Sequence, residues 1–208
     1  MVEQLFAVVG LGNPGRKYAD TRHNVGAWVV EALAALVEGR GEKVVWRQKF
    51  NCNLANISLA GHKVILVLPQ VFMNQSGAPV AAVCGFFKID YSQLIIIHDD
   101  LDFAPGVVRI KQGGSSGGHR GVEDVMRHLG RGDFCRLRVG IGHPERQPNS
   151  GGEVSGAKKV VDVKDWVLSA PSREERMLLS DAVCRATDAT CCIIEMGVLA
   201  AQQRLHAR

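Results

Sequence analysis

Short apolar runs alternate with amphipathic stretches along most of the chain. Seven segments show the continuous or alternating apolar pattern of β-strands, at residues 5–9, 44–46, 54–59, 63–68, 94–97, 106–111 and 135–141. Apolar residues recur at helical spacing in four other segments, at 24–37, 76–87, 119–129 and from Ser172 onward. Helices interspersed among strands predict an α/β fold, with a single domain over residues 1–208 in which helices flank a twisted β-sheet.

Two short sequences predict how neighbouring elements connect. Ala60 and Gly61 separate two strand patterns, which indicates a hairpin and therefore a mixed sheet. Ser172 precedes a helical pattern with Glu174 and Glu175 in its first turn, so we expect it to be the N-cap of that helix. Residues 144–159 are rich in proline, glycine, serine and charge, which predicts a flexible surface loop within the domain.

The composition is that of an ordinary globular protein. Of the 208 residues, 46% are hydrophobic and 22% are charged, and the net charge of +4 permits a polyanionic partner without requiring one. The chain starts without the basic and apolar regions of a secretory signal, and no later run approaches the ~18 apolar residues of a membrane span. The six cysteines form no C-x-x-C pair and mostly have apolar neighbours, which is typical of buried thiols in a reducing compartment. We therefore expect a cytoplasmic protein with no membrane association.

The sequence GLGNPG at residues 10–15 fits the glycine pattern of dinucleotide-binding proteins. In those proteins the pattern opens a helix, and an acidic residue ends the next strand about 20 residues later. Here the helical pattern begins only after the polar residues 16–24, and Glu31 falls inside it. A dinucleotide-dependent oxidoreductase stays an alternative, which this late start of the helix disfavours.

Polar residues with turn-forming neighbours follow several of the predicted strands. Asn13 follows the first strand, Asn74 follows an apolar run, and Asp99 follows the strand at 94–97. Ligands of open α/β sheets bind beyond the carboxyl ends of the strands, so we expect these segments to share one crevice. Two further segments are expected to join them, and these are residues 21–24 and the glycine-rich residues 113–119, each ahead of a predicted helix.

His23 is the strongest candidate for chemistry in this crevice. An imidazole has an ordinary pKa of about 6.5 and is a natural general base at neutral pH, particularly when a carboxylate such as Asp99 fixes its tautomer. No G-x-S-x-G nucleophile motif is present, so a base at His23 would activate water directly. The amides of Asn13 and Asn74 can then bind a peptide backbone or a developing oxyanion.

Each of these residues also has a simpler explanation. A histidine before a helix is commonly a solvated or capping residue, and asparagines are typical of turns and caps. The acidic residues Asp99, Asp100 and Asp102 are typical of a turn, or alternatively of a cation site with oxygen ligands. We expect no metal, because only one histidine neighbours these acids and no H-E-x-x-H or C-x-x-C motif accompanies them.

Basic residues alternate along two of the predicted strands. Arg109 and Lys111 point to one face of their strand, as do Arg136 and Arg138 on theirs. A solvated strand face explains both pairs equally well. Arg109 and Lys111 nevertheless lead into the glycine-rich loop, whose N–H groups and following helix N-terminus are a natural phosphate site. The pattern therefore favours a substrate that carries phosphate.

Five motifs, taken together, resemble those of the bacterial-type peptidyl-tRNA hydrolase family. They are GLGNPGRKYADTRHNVG, VFMNQSG, HDDLD, KQGGSSGGHRG and RLRVGIGHP, and the similarity resumes at DWVLSAP, residues 165–171. The resemblance implies a monomeric α/β domain that hydrolyses the ester between a peptide and the 3′ ribose of tRNA. The partner is then peptidyl-tRNA, and no cofactor is needed.

The resemblance also implies a role for each matching residue. His23 is the general base for the attacking water, and Asp99 orients it. Asn13, presented by the glycine turn, and Asn74 bind the peptide backbone and the scissile region. The neighbouring substrate contacts are Tyr18, Phe72 and Met73.

Three basic residues match positions that hold tRNA in this family. Arg109 and Lys111 correspond to the residues that grip the 5′ phosphate, and Arg138 corresponds to a further tRNA contact. These assignments rest on the resemblance, whereas the sequence pattern by itself leaves a solvated strand face open.

The chain departs from the family pattern at one substrate-binding position. The family sequence G-G-H-N-G reads GGHRG here, so that Arg120 stands where the family has asparagine. Arginine still donates hydrogen bonds and adds a charge able to hold a phosphate, so we expect altered affinity for the acceptor end with chemistry retained. The loop at 144–159 is also longer than is usual in the family. A non-catalytic RNA-binding protein, similar to the organellar intron-splicing factors that share this fold, remains an alternative.

Overall fold

A seven-stranded mixed sheet forms the centre of the computed structural model, which describes residues 3–144 and 162–206. The sheet has the order β2-β3-β4-β1-β5-β7-β6. Strand β1 lies between two parallel neighbours, β4 and β5, and β5 is parallel to β7, whereas the other pairs are antiparallel. The strands are β1 (Leu5–Gly10), β2 (Arg47–Lys49), β3 (Cys52–Leu59), β4 (His62–Pro69), β5 (Leu94–Asp100), β6 (Val108–Gln112) and β7 (Cys135–Gly140). The predicted mixed α/β fold is confirmed.

Helices cover both faces of this sheet. The first and fifth helices pack with one side of the sheet in one hydrophobic core, and the second and third pack with the other side in a second core. The helices are α1 (Val25–Glu38), α2 (Gly77–Phe87), α3 (Arg120–Leu129), α4 (Val163–Val167), α5 (Arg173–Met196) and α6 (Val198–His206). Two single 3-10 turns, Arg22–Asn24 and Met73–Gln75, precede α1 and α2.

The two hairpin turns, between β3 and β4 and between β2 and β3, differ in how well the sequence predicted them. Ala60 and Gly61 form the expected two-residue turn between β3 and β4, both with positive φ. The strand predicted at 44–46 is wrong, because the strand lies at Arg47–Lys49 instead. A second tight turn sets this register: Phe50 and Asn51 both have positive φ, and Lys49 pairs directly with Cys52. Local turn geometry outweighs the apolar run, whose Val45 and Trp46 are exposed.

The C-terminal part has two helices that periodicity did not predict as separate elements: α4, and α6, which follows a break at Gly197. Helix α4 has only five residues, too few for a helical repeat to be recognised. The start of α5 is as expected, because Ser172 accepts from the Glu175 amide and Glu175 accepts from the Ser172 amide, which completes a capping box. Most of the loop predicted at 144–159 lies outside the described residues. Within the described residues, the helices are all too short or too polar to cross a membrane.

Candidate functional site

The polar segments singled out from the sequence meet in one cleft at the carboxyl ends of the strands. The cleft has a volume of about 630 Å³. Its position beside β1, where the chain crosses from one side of the sheet to the other, is the usual place for ligands in open α/β sheets. The predicted residues that line it are Asn13, Tyr18, His23, Phe72, Met73, Asn74, Asp99 and Arg120.

The glycine turn is built for close packing, and it does not open a helix. Helix α1 begins at Val25, ten residues after the turn ends at Gly15. A Cβ on Gly10 would lie 2.4 Å from the Gly26 carbonyl oxygen, so glycine here allows α1 to approach β1. The Asn24 side chain holds the turn, since it accepts from the Asn13 amide at 2.8 Å and donates to the Asn13 carbonyl at 2.9 Å.

Asn13 is thereby fixed with a donor available for a ligand. Its side chain is almost fully buried, and its Oδ1 accepts the backbone N–H of Met73 at 2.8 Å. This hydrogen bond settles which side-chain atom is oxygen. The Nδ2 group has no hydrogen-bond partner among the described residues, so Asn13 presents N–H donors to the cleft.

Two histidines share one oxygen of the buried Asp99. His23 Nδ1 lies 2.8 Å from Asp99 Oδ1, and His119 Nε2 lies 2.9 Å from the same atom. His119 is also the N-cap of α3, where its Nδ1 accepts the amide of Val122 at 3.2 Å. The hydrogen of His119 is therefore on Nε2 and is donated to Asp99. The same carboxylate accepts the Nδ1 hydrogen of His23, which leaves His23 Nε2 as a basic atom on a side chain that lines the cleft.

The charge of Asp99 controls the titration of this group. Burial alone would lower the pKa of His23, but the negative charge and hydrogen bond of Asp99 outweigh burial and raise it above the usual 6.5. Burial would likewise raise the pKa of Asp99, yet the charges and hydrogen bonds of His23 and His119 hold it well below its ordinary range. Asp99 is thus an anion, and His23 is a stronger base than an isolated imidazole.

A third histidine, His98, is bonded to the backbone of Asp99. His98 is 1% exposed, and its Nδ1 donates to the Asp99 carbonyl at 2.7 Å. Burial and the neighbouring His119 hold the pKa of His98 well below 6.5, so its ring stays neutral. A neutral ring adds no charge that would compete with His23 for the Asp99 carboxylate.

The same residues offer donor atoms for a metal. One ligand atom each from His23, Asp99 and His119 lies within 4.8 Å of the others. The sequence argument against a metal counted one histidine, whereas the structure brings a second to Asp99. Metal ligation needs bare nitrogen lone pairs, and in this network both facing nitrogens carry hydrogens that are donated to Asp99. The donor set therefore fits proton transfer better than metal binding.

Close contact between α2 and α3 forms the opposite side of the cleft. A Cβ on Gly121 would lie 2.5 Å from the sulfur of Met73, and one on Gly77 would lie 2.1 Å from the Asp124 carbonyl oxygen. Asp124 is buried and accepts the Gly77 amide at 2.6 Å. This packing fixes Asn74, which is exposed in the turn before α2, relative to the start of α3.

Aromatic rings line the cleft near its rim. Tyr18 and Phe72 meet edge to face with ring centroids 6.2 Å apart, and Phe72 is 54% exposed. An exposed apolar ring beside a cleft is suited to contact a substrate side chain.

The basic residues lie where strands β6 and β7 pair. Arg109 is directly opposite Arg138, and Lys111 is directly opposite Arg136. Like charges at opposing positions repel one another. Arg138 is neutralised in part by Asp100, whose Oδ2 lies 2.6 Å from its Nε, and Arg109 is exposed. Arg136, which alternates with Arg138 on β7, does not lie on a solvated face, because it is buried and donates to carbonyl oxygens of the glycine-rich loop.

Two of the buried cysteines are unsuited to nucleophilic catalysis. All six are unpaired, and burial raises the pKa of both Cys52 and Cys135 to about 12. Neither thiol is ionised at neutral pH.

The sequence placed His119 and Asn24 in the expected crevice only as members of the segments 113–119 and 21–24, and it assigned no role to either residue. His119 was recognised only as the end of a glycine-rich segment, and Asn24 only as the start of a helix. Their positions directly before α3 and α1 were a signal, because residues that precede helices at the carboxyl edge of a sheet face the ligand crevice.

Comparison with known proteins agrees with this geometry. The family model for peptidyl-tRNA hydrolase matches residues 7–208. Peptidyl-tRNA hydrolase from Chromohalobacter salexigens is 43% identical, and the match covers 97% of this chain and 96% of that protein. Peptidyl-tRNA hydrolase from Histophilus somni is 38% identical, and the match covers 99% of this chain and 98% of that protein. The crystal structure of peptidyl-tRNA hydrolase from Acinetobacter baumannii superposes with a TM-score of 0.84 at 33% identity, covering 100% of this chain and 97% of that one. The chain belongs to the peptidyl-tRNA hydrolase family.

Proposed function

We propose that this protein hydrolyses the ester bond that joins a peptide to the 3′ ribose of tRNA, and so releases tRNA for reuse. The observation that carries the proposal is the buried Asp99 bonded to His23 in a cleft where Asn13 presents an N–H donor. Base, orienting carboxylate and oxyanion donor are the groups that ester hydrolysis by water requires.

The reaction follows from these three groups. His23 Nε2 removes a proton from water as the water oxygen attacks the ester carbonyl carbon. The negative charge that develops on the carbonyl oxygen is stabilised by the Asn13 Nδ2 group. The tetrahedral intermediate then breaks its bond to the ribose 3′ oxygen, which takes the proton back from His23. Asp99 stabilises the imidazolium throughout and keeps the hydrogen on Nδ1.

The remaining cleft residues hold the substrate on either side of this centre. Asn74 binds the peptide backbone, and Arg120, which is exposed at the start of α3, binds the acceptor end of tRNA. The apolar contacts to the peptide come from Tyr18, Phe72 and Met73. The opposing like charges on β6 and β7 support tRNA phosphate as the ligand of Arg109, Lys111 and Arg138, because an anion between them relieves their repulsion.

The proposal needs no cofactor, since proton transfer and an N–H donor suffice for the chemistry. Neither alternative from the sequence gains support. The dinucleotide pattern lacks its helix, and a splicing-type RNA-binding role does not account for a buried Asp99 that raises the pKa of His23. We further propose that the protein acts as a monomer in the cytoplasm, because every residue of this site comes from one chain and the proposed substrate is a product of translation.

The test compares wild type with His23→Ala on N-acetyl-aminoacyl-tRNA in the presence of EDTA. Loss of a general base lowers the rate by about 10²–10⁴-fold. Binding of deacylated tRNA to both proteins is the control, because it reports that the variant is folded. Wild-type turnover that survives in the variant would remove His23 from the mechanism, whereas tRNA binding without turnover in either protein would favour the RNA-binding alternative. Loss of wild-type activity in EDTA, restored by metal, would favour a metal site at Asp99.

A further inference from the structure

Arg22 directly precedes His23 and takes no part in the proposed reaction. Its side chain is 5% exposed, and its guanidinium carbon lies 3.7 Å from the centroid of the Trp166 ring. Nη2 donates to Glu175 Oε2 at 2.5 Å, and Nη1 donates to Ser169 Oγ at 2.6 Å. The carbonyl oxygens of Trp166, Ser169 and Ala170 lie within 3.4 Å of Nη1. One side chain therefore contacts a stretch of chain that is about 150 residues away in sequence.

That same stretch lines the cleft that contains His23. Val163, Lys164, Val167 and Leu168 line the cleft, and we call them the α4 wall. Two backbone-directed contacts fix this wall. The Arg22 amide donates to the Ser169 carbonyl at 3.1 Å, and Trp166 Nε1 donates to the Gly142 carbonyl at 2.9 Å. The residue before the proposed base is thus bonded through its backbone and its side chain to the end of the α4 wall.

Stability alone is a weak reason for this arrangement. Burial of an arginine and a carboxylate carries a desolvation cost that often cancels their attraction, so a buried pair is better explained by the geometry that it imposes. The planar guanidinium suits this purpose, because it can stack on a ring while it donates in two fixed directions.

We infer that Arg22 is a positioning residue, which sets the distance between His23 and the α4 wall through its contacts with Trp166, Ser169 and Glu175. Substrate held against the wall then meets His23 at the separation needed for attack by water. The inference rests on the proposed function. It goes beyond that function in assigning part of the catalytic geometry to a residue that touches neither the substrate nor Asp99.

The primary test measures kcat and KM for Arg22→Lys well below the unfolding temperature. Lysine keeps the charge but can neither stack as a plane nor donate in the same two directions. Displacement of a catalytic group by about 1 Å costs about 100-fold in rate, so we expect kcat to fall by about 10- to 100-fold with little change in KM. The matched control is Arg176→Lys, because Arg176 lies on α5 beside Glu175 but is half exposed, and its contacts are an exposed pair with Asp20 at 3.4 Å and the Trp28 ring, whose centroid is 6.0 Å from its guanidinium carbon. Its kcat is expected to equal that of wild type.

Glu175→Gln is the second variant, in case Arg22→Lys fails to fold. Glutamine still completes the capping box but removes the charge that Arg22 pairs with, so kcat is expected to fall in the same direction and by less. A folded Arg22→Lys or Glu175→Gln protein with wild-type kcat would overturn the inference, because a merely structural role lowers the unfolding temperature and leaves the turnover of folded molecules unchanged.

Nitrogen NMR of the His23 ring keeps the two proposals separable. We expect the Nδ1 resonance, which reports the hydrogen bond to Asp99, to change in Arg22→Lys and to stay the same in Arg176→Lys. If wild type has no hydrolase activity, the proposed function fails while a changed resonance still supports positioning. An unchanged resonance in the folded Arg22→Lys protein contradicts positioning when kcat is also that of wild type, or when wild type is inactive and no rates can be compared.

Discussion

At the scale of single residues, one carboxylate oxygen organises the candidate site. Asp99 Oδ1 accepts from two histidines, and only one of them retains a basic nitrogen on the cleft side. Both ring nitrogens of His119 are engaged in hydrogen bonds, Nε2 with Asp99 and Nδ1 with the Val122 amide of α3. The two histidines therefore have different roles in the proposed mechanism although they share a partner: His23 exchanges protons with the substrate water, and His119 holds Asp99 in place.

This arrangement predicts the pH dependence of hydrolysis. A protonated His23 cannot act as a base, so activity should be lost as the pH falls through its pKa, and the midpoint should lie above 6.5 because Asp99 raises that pKa. Asp99→Asn removes the charge that raises the pKa and leaves burial, which lowers it. The variant should therefore show both a lower kcat and an acid limb moved to lower pH. A pH profile of kcat/KM checks both statements, and a midpoint that is the same in the two proteins would contradict them.

Arg120 gives a second prediction at this scale. Its replacement by the family asparagine in Arg120→Asn removes a positive charge from the cleft, so KM for peptidyl-tRNA should change while kcat stays within about threefold, since Arg120 does not contact Asp99 or His23. Steady-state kinetics on one tRNA substrate provides the measurement. Unchanged KM and kcat together would show that Arg120 does not contact the substrate.

Much of the site could be predicted from the sequence, because it consists of polar residues directly after buried strands. Asn13 and Asp99 were found by this rule, and His23 by its chemistry. The shared oxygen of Asp99 could not be predicted. It depends on how closely α3 approaches β5, which is a property of packing across the sheet that local sequence does not encode.

At the scale of elements, the approach of α2 to α3 fixes one side of the cleft. Gly77 and Gly121 make this close approach possible, whereas in the sequence they were only residues within helical patterns. Propensity would favour alanine at either position. Tertiary packing decides instead, because a Cβ on Gly77 has no room beside the Asp124 backbone.

Gly77→Ala should therefore destabilise the protein by about 1–3 kcal/mol, the usual cost of overpacking. It should also lower kcat/KM, since the displaced start of α2 carries Asn74 with it. Gly85→Ala is the control in the same helix. No atom lies within 4 Å of the Cβ it would add, so this substitution should stabilise the protein by about 0.5–1 kcal/mol. Urea unfolding of the two variants is the measurement, and equal effects would show that α3 yields to the added methyl group.

The elements themselves were largely predictable. The helical spacing of apolar residues predicted α1, α2 and α3, and the N-cap at Ser172 predicted the start of α5. The Ala60–Gly61 turn predicted the antiparallel pairing of β3 with β4. The strand prediction at 44–46 failed for a specific reason. A two-residue turn at Phe50 and Asn51 sets the strand pairing, and this turn contains no glycine from which it could have been predicted.

At the scale of the whole molecule, charge is unevenly placed although the net charge is small. Four basic side chains oppose one another on β6 and β7, at one edge of the sheet. Composition alone did not reveal this concentration, which only strand pairing creates.

The uneven charge predicts the salt dependence of tRNA binding. Each phosphate contact contributes about 0.9 to the slope of log affinity against log salt concentration for a duplex. Arg109→Ala should reduce the magnitude of that slope by about 0.9, which is the contribution of one phosphate contact. Lys63→Ala should leave it unchanged, because Lys63 lies at the amino end of β4 and pairs with Glu3. Filter binding over a range of salt concentrations measures both slopes, and equal slopes in the two variants would place the tRNA elsewhere.

The bonds of Arg22 to the region of α4 also bear on the order in which the protein is made. His23 and the glycine turn are translated early, whereas Trp166, the first residue that Arg22 bonds through its side chain, lies 144 residues further along. Asp99 and His119 are synthesised between them. A nascent chain therefore holds its base and its carboxylate before the cleft has its α4 wall. Completion of the cleft is therefore a late event in synthesis, because the base, its carboxylate and His119 are all made before the α4 wall that lines the cleft beside them.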